Sequence, residues 1–115
     1  MPGPDAFGET LLGETVHADG RLVYAVWGEI DMSNAKLLAH RLRTVAGDYR
    51  DRIELDMTGV EFIDSTGIDA LLDVSEALKT NNGSLILRNP PPPFLRLIEI
   101  LAMTDLFTIN EDGTS

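Results

Sequence analysis

The residues best suited to chemistry fall in one short stretch, Asp64-Ser65-Thr66-Gly67, where a strand-type run gives way to a helix-type one. Backbone N–H groups in the first turn of a helix have no intrahelical acceptor, and the dipole is positive there, so a phosphate on Ser65 would be locally tolerated. One reading is therefore a phosphoacceptor hydroxyl on a surface turn. The other makes Asp64, Ser65 or Thr66 a plain N-cap, and spacing alone favours it. Gly67 weakens the first turn and leaves room for another backbone to approach.

Competing chemistries fail on the same residues. A serine hydrolase elbow needs Gly-x-Ser-x-Gly, but position 63 is Ile, and His17 and His40 are the only histidines to serve as a base. An aspartic protease needs Asp-Ser-Gly or Asp-Thr-Gly, and Asp64-Ser65-Thr66-Gly67 has one residue too many. Glu29, Asp31, Glu54, Asp56 and Asp64 offer carboxylate pairs of the kind glycosidases use, but so does any acidic surface. Two histidines 23 positions apart and no cysteine give no metal-ligand spacing, and no EF-hand pattern or Gly-rich loop with a Lys is present. No enzyme, cofactor or metal is expected.

The elements that position this stretch follow from periodicity. Phe7 to His17 and Leu22 to Trp27 read as antiparallel strands joined by a turn at Ala18-Asp19-Gly20. Ser33 or Asn34 caps a helix with Ala35, Leu38, Leu42 and Val45 inward, ending near Gly47, with Lys36, Arg41 and Arg43 on its other face. Ile53 to Met57 alternates as a strand, with a turn at Thr58-Gly59, after which Val60, Phe62 and Ile63 resume the apolar signal. From Thr66 a helix faces Ile68, Leu71, Leu72, Ala77 and Leu78 inward and stops at Asn81-Asn82-Gly83. Ser84 to Arg88 is a strand. Pro90 to Pro93 is either a stiff strand-to-helix connection, the favoured reading, or a polyproline ligand. A helix with Phe94, Leu97, Ile98 and Leu101 follows, then a short strand at Phe107 to Ile109. The β-β-α-β-α-β-α-β order predicts an α/β fold: a mixed sheet of about five strands with helices packed mainly on one face.

At 115 residues the chain is sized for one domain. Residues 7–110 are expected to form it, with loose ends at 1–6 and 111–115. A net charge of −10 works against phosphate backbones and anionic lipid surfaces, so direct nucleic-acid binding and membrane insertion are not expected. No apolar run approaches the roughly 20 residues of a spanning helix, and the N-terminus lacks a signal-peptide pattern, so a cytoplasmic location is expected. Nine acids and two bases between Asp48 and Glu76 carry −7 of the net charge, and no base occurs from Met57 to Leu78. No local arginine can then receive a phosphate on Ser65, which would act on a partner instead.

Two segments together carry a resemblance: Gly28-Glu29-Ile30-Asp31, and the run from Ile53 through Asp64-Ser65-Thr66-Gly67 to Ile68. They resemble the STAS domain of bacterial anti-sigma factor antagonists, with weaker likeness from about Phe7 to Asn110, including Pro93 to Leu101 and Leu106-Phe107. The resemblance implies a single STAS domain and a partner-switching regulator of transcription in the stress response. The unphosphorylated form would bind an anti-sigma factor serine kinase and release the sigma factor. Phosphorylation by that kinase, using ATP, would switch binding off, and a PP2C-type phosphatase would restore it. Ser65 takes the phosphoacceptor position, with Thr66 as second choice. The expected partner-contacting residues are Glu29, Asp31, Asp64, Thr66, Gly67 and Asp69. Glu29 and Asp31, placed on the loop after the second strand, are equally readable as turn and solvation residues. Asp69 stands where the family often has glycine, and the N-terminal extension and four-proline run are also departures. Alternatives are a non-phosphorylated STAS subunit of a transport complex and a scaffold subunit of a stress-signalling assembly.

Overall fold

The computed structural model describes residues 12–18, 21–48 and 52–110. The expected loose ends, the start of the first strand at Phe7 and the turn residues Asp19-Gly20 lie outside them. Five strands form one sheet: β1 (Leu12–Ala18), β2 (Arg21–Ile30), β3 (Arg52–Ile63), β4 (Ser84–Arg88) and β5 (Thr108–Asn110), in that spatial order. β1 pairs antiparallel with β2, and β2 through β5 are parallel. Each parallel step needs a crossover. Helices α1 (Ala35–Asp48), α2 (Ser65–Thr80) and α3 (Pro92–Ile100) supply them, with a 3₁₀ turn at Thr104–Leu106 before β5.

One core joins the sheet to the helices. Leu22, Tyr24 and Val26 of β2 and Ile53, Leu55 and Met57 of β3 point into it by strand alternation, against Leu38, Leu42, Ile68, Leu71, Phe94 and Ile98. Each such side chain contributes about 1.5–3 kcal/mol by leaving water. The inner stripe of α2 follows the 3.6 period through Gly67, Ile68, Leu71, Val74, Ser75 and Leu78, leaving Leu72 and Ala77 only half-buried. In α3 the expected Leu101 falls just past the last turn and is exposed, because Ala102 takes a left-handed conformation (φ 58°) and Met103 N–H closes onto the Ile98 carbonyl at 2.7 Å. The prolines act as the connection: Pro91 is the N-cap of α3 and Pro92 and Pro93 begin it, where their missing N–H groups cost nothing.

The expected turn at Thr58-Gly59 is absent, and β3 runs through it. The pairing with β2 instead slips between Ala25 and Trp27. Gly59 lies opposite Trp27, and a Cβ on it would meet Trp27 Cβ at 2.5 Å, so glycine there permits a close cross-strand contact, not a reversal. On the other sheet face Glu54 is buried in register between Val23 and Ile86, its carboxylate 3.5 Å from Arg88 Nη1. No helix among the described residues is long and apolar enough to cross a membrane.

Candidate functional site

The carboxyl ends of β2 and β3 lie side by side, with Glu29 opposite Phe62 and Ile30 opposite Ile63. This register joins two loops distant in sequence. Asp64 N–H donates to the Ile30 carbonyl at 3.2 Å, fixing the start of α2 against the end of β2. Glu29 is therefore the penultimate residue of β2, not part of the loop beyond it. Asp31 does begin that loop.

At the start of α2 the three capping candidates separate. Asp64 is the N-cap: its backbone is extended, and its Oδ1 accepts from Gly67 N–H at 3.0 Å. Ser65 and Thr66 occupy the first two helical positions, both exposed, and neither hydroxyl has a hydrogen bond among the described residues. The cap reading and the phosphoacceptor reading thus fall to different residues. Gly67 is buried, and a Cβ there would meet Ile63 Cγ1 at 2.7 Å and Ile30 Cγ2 at 2.8 Å. Its missing side chain makes room for the chain's own two isoleucines, and it offers no surface.

The neighbouring loop is organised by its own side chains. Asp31 Oδ1 accepts from Ser33 N–H at 2.9 Å and from the Ser33 hydroxyl, holding the Asp31 carboxyl below its usual value of 3.8. The Asp31 carbonyl accepts from Ala35 N–H at 2.8 Å, so Asp31 caps the turn that leads into α1. Asn34, nearly fully buried, bridges the turn: its Oδ1 accepts from Asp31 N–H at 3.0 Å and its Nδ2 donates to the Glu29 carbonyl at 2.8 Å.

Two exposed apolar side chains border this end of the sheet, Met32 (79% exposed) and Phe62 (47%). Phe62 belongs to the apolar run Val60, Phe62 and Ile63. The slip between Gly28 and Glu29 makes Phe62 the partner of Glu29, and it is Ile63 that is buried. A further feature requires the tertiary structure. α1 and α2 pack together and leave a groove of about 360 Å³, with Ala35, Ala39 and Ala70 in it, Lys36 and Arg43 on one side, and Thr66, Asp69 and Asp73 on the other. The base-free stretch around Ser65 is thus base-free only along the chain. The acidity also spreads out: Glu54 is paired beneath the sheet, Asp56 accepts from Thr58, and Glu76 lies about 16 Å along α2 from Ser65. On α2 and its cap, Asp64, Asp69 and Asp73 are the acids closest along the chain to the two hydroxyls.

This geometry can present a hydroxyl and a charged, partly apolar surface. Residues 14–113 match the family model described as STAS domain. The anti-sigma-B factor antagonist of Bacillus subtilis is 30% identical over 83 residues, covering 72% of this chain and 75% of that protein. The crystal structure of an anti-sigma factor antagonist from Mycobacterium paratuberculosis superposes with a TM-score of 0.76 at 27% identity, over 95% of this chain and 89% of that one. Sulfate transporter 1.3 of Arabidopsis thaliana is 27% identical over 104 residues, 81% of this chain but only 16% of the transporter. With a five-stranded mixed sheet, three crossover helices and a family match across most of its length, the chain belongs to the STAS domain family.

Proposed function

We propose that this protein is an anti-sigma factor antagonist whose binding is switched by phosphorylation of Ser65. The unphosphorylated form binds an anti-sigma factor that is a serine kinase, releasing the sigma factor; ATP-dependent phosphorylation ends that binding, and a PP2C-type phosphatase restores it. The chain acts as a cytoplasmic binding switch and catalyses no step itself. One observation carries the reading: Asp64 does the capping, so the Ser65 hydroxyl stands exposed at the first helical position with no hydrogen bond among the described residues. Such a hydroxyl can enter a kinase active site without unfolding the helix. The contact surface comprises Glu29, Asp31, Asp64, Thr66 and Asp69, with Met32 and Phe62 supplying its apolar area; Gly67 sets the position of the turn from beneath.

A phosphate would add about −1.5 to −2 charges to this surface. One like-charge pair at about 6 Å is worth roughly 3 kcal/mol at an effective dielectric of 20, near a hundredfold in affinity before salt screening. The test is incubation with purified candidate anti-sigma kinases and ATP, with the site mapped by mass spectrometry. Ser65→Ala should lose the label and keep kinase binding, and Ser65→Asp should weaken binding. Label that persists on Ser65→Ala would move the site to Thr66 or elsewhere. The likeness to a sulfate transporter segment favours one other reading, a subunit of a transport complex, for which a purified transporter ATPase would bind and no kinase would label the chain.

A further inference from the structure

Of the chain's five asparagines only Asn82 precedes a glycine. A glycine at that place has no Cβ to hinder its amide nitrogen from approaching the asparagine side-chain carbonyl, the approach that closes a succinimide ring. The pair ends α2. Asn81 is the C-cap, Asn82 takes the left-handed conformation (φ 66°), and both bonds of a Schellman cap are made: Asn82 N–H donates to the Lys79 carbonyl at 3.0 Å and Gly83 N–H to the Leu78 carbonyl at 2.7 Å. The left-handed position is thus held by the asparagine. Among the described glycines Gly28 alone has a positive φ, so the backbone at position 83 does not demand glycine. The two asparagine side chains also differ. Asn81 Nδ2 donates to the Ala77 carbonyl at 3.4 Å, whereas Asn82 is exposed and its carboxamide has no hydrogen bond among the described residues. The electrophile of ring closure is free and wet, and the nucleophile is the group that the cap holds.

We infer that Asn82 is a deamidation site gated by this cap. With the cap closed, the Gly83 amide proton is committed to the Leu78 carbonyl. Opening the last turn of α2 releases it. A solvent base then removes that proton, the Gly83 nitrogen attacks Asn82 Cγ, the Cγ–Nδ2 bond breaks and ammonia leaves, closing the succinimide. Water next opens the ring at one of its two carbonyls. Opening at Cγ gives aspartate, and opening at the backbone carbonyl gives isoaspartate, in which the main chain runs through Cγ. No electrons are transferred, and water is the only co-reactant. Either product weakens the cap that gates the step. Aspartate sets a negative charge at the negative pole of α2, and isoaspartate inserts one more main-chain atom ahead of Gly83, so its N–H no longer meets the Leu78 carbonyl as before. A modified molecule therefore opens more readily, and the site records the cumulative opening of this end of the domain. It lies about 24 Å along α2 from Ser65, at 1.5 Å per residue, and is independent of the switch proposed there.

Peptide mapping by mass spectrometry, with aspartate and isoaspartate separated by chromatography, follows the full chain in neutral buffer and in urea above its unfolding midpoint. Asn82 should convert in urea, and in the folded chain it should convert at least about tenfold more slowly, a factor of ten for each opening free energy of about 1.4 kcal/mol. Native-state exchange of the Gly83 amide reads the same opening, and its protection factor should match the deamidation ratio within about threefold. Asn82→Asp, which makes the aspartate product genetically, should lower that protection severalfold. Gly83→Ala should keep the cap and slow conversion in urea by about tenfold. Equal rates in the folded and unfolded chains would show that the cap does not gate the chemistry. Conversion of another asparagine ahead of Asn82, or a folded-state rate unrelated to Gly83 protection, would equally overturn the inference. None of these outcomes depends on whether a kinase labels Ser65.

Discussion

Gly67→Ala sets two effects of opposite sign against each other at the point where the Ser65 turn is anchored. In an ordinary helix the change stabilises by about 0.5–1 kcal/mol, because alanine gives up less backbone entropy. Here the added methyl would lie 2.7 Å from Ile63 Cγ1 and 2.8 Å from Ile30 Cγ2, both branched side chains fully enclosed in the core. Neither can swing away as the end of a long side chain could. Overpacking of this kind costs about 1–3 kcal/mol. The expected net is a loss of about 1 kcal/mol, or roughly 4 °C in Tm for a domain of this size. Urea unfolding of wild type and variant, with equal m-values, measures it. Relief requires α2 to lift from the ends of β2 and β3, so the bond from Asp64 N–H to the Ile30 carbonyl should lengthen and amide exchange at Asp64 should accelerate. In an Ile63→Ala background the penalty should shrink, since the nearest obstructing atom is gone. A Gly67→Ala protein as stable as wild type or more so would refute the argument, and would return Gly67 to the role of leaving space for a partner.

Three other perturbations probe the same framework. Asp64→Ala should cost about 1 kcal/mol through loss of the cap, while Asp64→Asn keeps most of it; equal losses in the two would assign the effect to charge, as read by urea titration. Arg88→Met removes the cation 3.5 Å from buried Glu54 and should destabilise by about 3 kcal/mol, whereas the double change Glu54→Leu/Arg88→Met should recover much of that; a neutral single variant would show that the pair contributes nothing. Asp31 has a depressed folded-state pKa, so its contribution to stability is fully present above the unfolded value near 3.8 and is lost as pH falls through the folded one. The Tm difference between wild type and Asp31→Asn should be constant from about pH 5 to 8 and close below about pH 4; a difference that persists into acid would remove the hydrogen bonds from Ser33 as its cause.

Most of the architecture was legible in the sequence because it rests on local periodicity. The spacing of Leu38 and Leu42, of Ile68 and Leu71, and of Phe94 and Ile98 places each helix, and the alternation from Ile53 to Met57 places the central strand. Errors arose where a residue served a distant contact. Gly59 looked like a turn because nothing local shows that Trp27 lies across from it. Gly67 looked like an opening for a partner because Ile30 is 37 positions earlier in the chain. Which residues of the apolar run Val60, Phe62 and Ile63 are covered cannot be read from the run alone, because a slip in the β2–β3 register sets Phe62 opposite Glu29 and leaves it exposed.

The sequence alone determined the order of elements, the motif Asp64-Ser65-Thr66-Gly67 and the excess of acid, since these depend on residue type and on spacing along one chain. Only the tertiary structure divided the motif into a cap, two exposed hydroxyls and a buried packing position, because that division is made by hydrogen-bond geometry and by the side chains beneath. Charge followed the same rule. Acids nine to eleven residues from Ser65 in sequence can lie beyond the screening length, while Lys36, thirty residues from Thr66, shares a groove with it. Electrostatics acts through distance in space, and the pairing of β2 with β3 sets those distances.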